Sequence, residues 1–152
     1  MDDISSLAST ALVALFSAWA GVWFSLKRFK SEKRWEKKTQ AYENIIEALH
    51  FSKIYLDTHL DALYEQKTLN QEYSDKLRDD SMKASKALRR IVDVGALIIS
   101  DEAITRLTVH QEELSSASRS NDFFDYLDHS LAATASCLKD LIPIAKRDLK
   151  IK

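Results

Sequence analysis

From Ile4 to Leu26 the chain runs for 23 residues without a charged side chain, and this run constrains the fold more than any other feature. At about 1.5 Å of rise per residue, a helix of that length reaches across the roughly 30 Å hydrocarbon layer of a bilayer. In lipid the backbone amides find partners only within the segment, so a spanning segment of this length is a helix. The competing reading is a buried core helix, favoured by the several Ser and Thr residues of the run, but its length favours the bilayer. Asp2 and Asp3 precede the run and the bases follow it, which is the reverse of a cleaved secretory signal.

Between Lys27 and Lys38 stand seven bases, opposed only by Glu32 and Glu36. The excess of positive charge on the inner side of membrane proteins then predicts an N-terminus outside and the remaining 126 residues in the cytoplasm. Trp23, Lys27, Arg28, Phe29, Lys30, Lys33 and Arg34 are the expected membrane-interface residues, with rings and cations at headgroup level. Within the run, Thr10, Ala14, Ser17, Ala18, Gly21 and Ser25 form a strip of small side chains. Small residues let helix backbones approach closely in lipid, so Ala14, Ser17, Ala18 and Gly21 are the candidate self-association face. The chain accordingly reads as a tail and transmembrane helix (1–26), a basic juxtamembrane segment (27–38) and a cytosolic helical bundle (39–152).

Past the basic segment the pattern is helical. Trp35, Tyr42, Leu49, Leu56 and Leu63 recur every seven residues, with Ile45, Ile46 and Leu60 beside them. No Gly or Pro falls between Val22 and Ile91, so the first cytosolic helix continues from the anchor to about Gln66. A second helix is expected from near Asn70, with Tyr73, Leu77, Ala84, Leu88, Ile91 and Ile98 inward. Ser100, followed by Asp101 and Glu102, reads as the cap of a third helix to about Ser116. After the linker-like SSASRSN, Asn121 is expected to cap a fourth helix with Phe124, Leu127, Leu131, Ala135, Leu138, Ile142, Ala145 and Leu149 inward. Pro143 should bend or end it. The fold class is therefore all-α: an N-terminal transmembrane helix followed by a bundle of about four helices, closed within one chain or between chains.

Composition excludes several chemistries. Lys and Arg total 22 against 23 Asp and Glu, a net charge of −1, which argues against a strongly basic nucleic-acid binder and against sequence-specific DNA reading. Two glycines and one proline argue against a Rossmann domain, a P-loop or a β-sandwich. Cys137 is the one cysteine, so there is no intrachain disulfide and no multi-cysteine zinc site; it reads as a small buried side chain. His50, His59, His110 and His129 fit no metal-ligand spacing and read as solvent-facing. Ser136 and Lys139 make an SxxK match with neither an SDN nor a KTG partner, and Asp122, Asp125 and Asp128 read as a hydrated helix face. No catalytic residue, metal site or cofactor is expected, and the chain reads as a non-enzyme.

One polar stripe stands out: Lys76, Lys83 and Arg90 at seven-residue spacing, with Lys86 and Arg89 close to its far end. If copies of the segment met around an axis, these five cations would form a phosphate-binding site. Asp79 and Asp80, between them, oppose that reading, and a mixed charged surface is the plainer one.

The segment KSEKRWEKKTQAYENIIEALH (30–50) and the run GALIISDEAI (95–104) carry a resemblance to small bacterial membrane proteins with one N-terminal anchor and a cytosolic helical domain. Some proteins of that loose class act in phage defence, including membrane effectors activated by cyclic oligonucleotides. The resemblance implies a bacterial inner-membrane setting and contributes no site residue. The leading expectation is a membrane-anchored, homo-oligomeric interaction or signalling protein with the lipid bilayer as partner. The alternative is a defence effector gated by a cyclic oligonucleotide.

Overall fold

A computed structural model describes the backbone of residues 2–95 and 97–151, and side chains from 19 to 151 apart from 20, 95 and 96. Among the described residues the chain is all-helical: α1 (Asp2–Tyr64), α2 (Gln71–Gly95), α3 (Asp101–Ala117) and α4 (Phe123–Leu149). Two compact units divide it, Met1–Glu36 and Lys37–Lys152, and α1 contributes to both.

In the N-terminal unit the described side chains are exposed. Trp19, Val22, Trp23, Phe24, Leu26, Phe29 and Trp35 each keep more than half of their surface open. The cations expected at the membrane interface are equally exposed; Arg28 pairs with Glu32 at 2.9 Å, and Lys33 with Glu36 at 2.7 Å. Such exposed pairs contribute little to stability. Lys27 Nζ lies 5.5 Å from the centre of the Trp23 ring. Among the described residues no helix is long and apolar enough to cross a membrane. Most of the expected span, Ile4 to Leu26, falls outside the described side chains, as do Ala14, Ser17 and Ala18 of the expected self-association face. Gly21 is described, and a Cβ there would meet nothing within 4 Å.

The second unit is a four-helix bundle whose core joins all its helices. Tyr42, Ile45 and Leu49 of α1 meet Leu88 of α2, Leu107 of α3 and Leu141 of α4. A smaller cluster unites Leu56 and Leu60 with Leu127. Each large apolar side chain fully buried in this way contributes about 1.5–3 kcal/mol. The seven-residue pattern of α1 holds in its middle, where Tyr42, Leu49 and Leu56 are buried, and fails at Trp35 and Leu63, which are exposed. Trp35 precedes the bundle, and Leu63 lies in the last turn of α1, beside the loop to α2. On α2 the expected inward Tyr73 is exposed, while Ala84 and Leu88 are buried.

The caps show how local chemistry sets the boundaries. Asn70 Oδ1 accepts from the Tyr73 amide at 3.3 Å, and Ser100 Oγ accepts from the Ala103 amide at 3.3 Å. The cap of α4 is Asp122, which accepts from the Phe124 amide at 3.1 Å, and not Asn121 as expected. The inward face of α4 includes the expected Leu127, Ala145 and Leu149 and extends onto residues that were not expected there. Its fully buried residues include Ser130, Thr134, Cys137 and Leu141, whereas Ile142 is exposed. Ser130 and Thr134, which are not among the expected inward residues, occupy the seam of α4, where small side chains let α3 pack closely against it. Helix α4 continues through Pro143 to Leu149. Pro143 and Lys139, whose carbonyl loses its usual donor, are both on the exposed side, where that carbonyl is accessible to solvent.

Candidate functional site

Helix α2 carries the five cations singled out by sequence, and the fold sorts them onto different faces. Lys83 and Arg90, seven residues apart, line an open groove between α1 and α2. Lys37, at the start of the second unit, lines it too, and so do the acids Glu47 and Asp80. The groove has a volume of about 760 Å³ and an apolar floor that includes Ala48, Phe51, Ala84, Ala87 and Ile91. Lys83 Nζ stands 3.7 Å from Asp80 Oδ1, so part of its charge is already answered. Arg89 faces the other way, into a hollow between α2, α3 and the start of α4. Lys76 and Lys86 are exposed and line neither space. Within one chain the five cations therefore do not converge.

The hollow around Arg89 has a volume of about 480 Å³. His110 forms part of its wall and, contrary to the solvent-facing expectation, is 2% exposed. Thr134 Oγ1 donates its one hydrogen to the Ser130 carbonyl at 2.8 Å, so it can only accept from His110 Nε2 at 3.2 Å. This fixes the neutral ring with its proton on Nε2. Burial, aided by the nearby Arg106 charge, lowers the His110 pKa to about 4, and the ring is neutral at pH 7. His59 is also tied down: Nδ1 donates to the Tyr55 carbonyl at 2.9 Å, and Nε2 accepts from Ser74 at 3.1 Å, joining α1 to α2. His50 and His129 are exposed as expected.

Two polar networks, neither evident in the sequence, hold the bundle in register. Asp148 accepts from Lys38 Nζ at 2.8 Å, from Tyr42 Oη at 2.8 Å and from the Ser100 amide at 3.1 Å. Burial pulls the Asp148 carboxyl upward, and these hydrogen bonds with the Lys38 charge outweigh it, leaving its pKa below the usual value. Arg106, on α3, reaches across to Asp140 at 2.9 Å and Ser136 Oγ at 3.2 Å on α4, and to Glu113 at 3.3 Å on its own helix. Ser136 of the SxxK match thus serves as an acceptor for Arg106. Cys137 is fully buried, and burial pushes its thiol up to about 11, which removes thiolate at neutral pH.

Residues such as Asp148 and Arg106 sit 106 and 34 positions from Tyr42 and Asp140, separations at which no local spacing rule operates. His110 left a weak trace, since it follows Ala103 and Leu107 at helical spacing. Among the described residues no group of three or more His, Cys, Asp or Glu side chains could hold a metal ion. Comparison of the chain with family models, with curated proteins and with solved structures finds no match.

Proposed function

We propose that the chain is a membrane-anchored helical interaction protein of the bacterial inner membrane, N-terminus outside, whose bundle associates with copies of itself. One observation carries the anchoring: between Trp19 and Phe29, six large apolar side chains stand more than half exposed on a helix that continues a charge-free run. Exposed aromatic and aliphatic groups at such density are costly in water and are accommodated at a bilayer interface. Support for self-association is the α1–α2 groove. Its floor is apolar and its rim carries both signs, Lys37, Lys83 and Arg90 against Glu47 and Asp80. A two-fold-related copy presents acids to those cations and cations to those acids.

Trp fluorescence of the full chain in vesicles containing brominated lipid tests the anchor. Quenching of Trp19 and Trp23 is expected, and an unquenched chain recovered in the soluble fraction overturns it. A mass measurement in detergent, with Ala87→Glu in the groove floor, tests the second element. The unsubstituted chain is expected as an oligomer and the variant as a monomer; a monomeric parent chain overturns self-association.

A second reading, a phage-defence membrane effector gated by a cyclic oligonucleotide, is favoured by the presence of Lys37, Lys83 and Arg90 around one groove. Titration with cyclic oligoadenylates decides it. Saturable binding lost in a Lys83→Glu, Arg90→Glu double variant supports this reading, and no binding removes it.

A further inference from the structure

The hollow between α2, α3 and α4 differs from the α1–α2 groove in one chemical respect: among the described residues no Asp or Glu lines it. Among the described residues its one permanent charge is the Arg89 guanidinium. The ion pairs of α2 join Arg78 to Asp75 and Lys83 to Asp80, and Arg89 takes part in none among the described residues. Around Arg89 stand Gln111, Ser115 and Tyr126, whose amide and hydroxyl groups are donors. Leu88, Leu107 and Leu114 supply an apolar wall. His110 contributes a neutral ring held by Thr134.

We propose that this hollow binds a small organic anion, consisting of a carboxylate or phosphomonoester head on an apolar or aromatic body. The physical reasons are three. A guanidinium presents paired N–H groups that match a planar or tetrahedral oxyanion, and an arginine without an acidic partner has that capacity unused. The wall of leucines and the Tyr126 ring provide the apolar contact that small-ligand sites use for most of their affinity, with a few polar groups fixing orientation. The volume of about 480 Å³ lies inside the range of such sites. The site uses the opposite side of α2 from Lys83 and Arg90, so it is independent of self-association and of the anchor.

Calorimetric titration of the full chain in non-ionic detergent tests the assignment, with phenyl phosphate, benzoate, inorganic phosphate and uncharged benzyl alcohol as probes. One or both organic anions are expected to bind saturably at one site per chain, about tenfold or more tighter than benzyl alcohol. Which of the two binds distinguishes a phosphate from a carboxylate ligand. Arg89→Gln should weaken binding about tenfold, as expected for loss of a charge-assisted hydrogen bond. Ser115→Phe should block it by filling the space, and Arg90→Gln, on the other face, should leave it unchanged. Arg89 and Ser115 are exposed, and an unchanged circular dichroism melt establishes that each variant folds. Absence of saturable binding by both organic anions up to about 10 mM overturns the proposal. So does equal binding of benzyl alcohol, or an Arg90→Gln loss as large as that of Arg89→Gln. Inorganic phosphate binding as tightly as phenyl phosphate overturns the role of the apolar wall.

Discussion

The Tyr42 hydroxyl donates to Asp148 Oδ2 at 2.8 Å, fastening the middle of α1 to the last turn of α4 across 106 residues of sequence. Because that hydroxyl hydrogen is committed to the carboxylate, Tyr42 Oη accepts from Ser100 Oγ at 3.2 Å. Ser100 Oγ in turn accepts from the Ala103 amide, so the cap of α3 belongs to the same network. One carboxylate thereby sets the positions of α1, the α2–α3 turn and α4.

Removing that carboxylate should be costly. Asp148→Ala leaves Lys38, Tyr42 and the Ser100 amide without their acceptor, and a loss of about 3 kcal/mol is expected. Tyr42→Phe deletes one donor and should lose about 1 kcal/mol. Urea unfolding of the full chain in mild detergent, followed by circular dichroism, measures both. Equal losses in the two variants would show that Asp148 acts only through Tyr42.

The bundle should lose stability in mild acid through His110. Its folded pKa of about 4 lies below the ordinary value of 6.5, so between those limits the unfolded chain binds more protons. Stability is then fully present above about pH 6.5 and falls as the pH drops toward 4, by on the order of 3 kcal/mol. His110→Leu should flatten this part of the pH profile. A wild-type profile level from pH 6.5 to 4.5 contradicts the prediction.

Ser130 Oγ is buried and has no hydrogen-bond partner among the described residues. Replacing it with alanine removes an uncompensated polar group without opening a large cavity. Ser130→Ala should stabilise the bundle by about 1 kcal/mol, raising the melting temperature by a few degrees. A destabilised variant would mean that the hydroxyl has a partner in solution.

Cys137 should be inert while the bundle is folded. It is fully buried and its thiol is shifted up to about 11. At pH 8 its reaction with an aromatic disulfide reagent should be about a hundredfold or more slower than in denaturant. Fast labelling of the folded chain would place the thiol at the surface.

Where interactions are local, the sequence was a reliable guide. The start of α3 at Ser100 and Asp101, the long uninterrupted α1 and the burial of Tyr42, Leu49 and Leu56 all follow from capping chemistry and from apolar periodicity. The charge-free run and the bases after it are equally a property of the linear chain. Hydropathy erred on α4, where it favoured Ile142 over Thr134 and Ser130. It could not weigh the space between two helices, which small polar side chains fill better than large apolar ones.

Sequence alone therefore determined which segments are helical, because helix formation depends on neighbours within a turn or two. The tertiary structure decided what those helices present to one another. It turned Arg89 away from Lys83 and Arg90, buried His110 against Thr134 and brought Asp148 to Tyr42. These outcomes depend on surfaces far apart in the chain, whose burial and pairing exist only once the helices have packed.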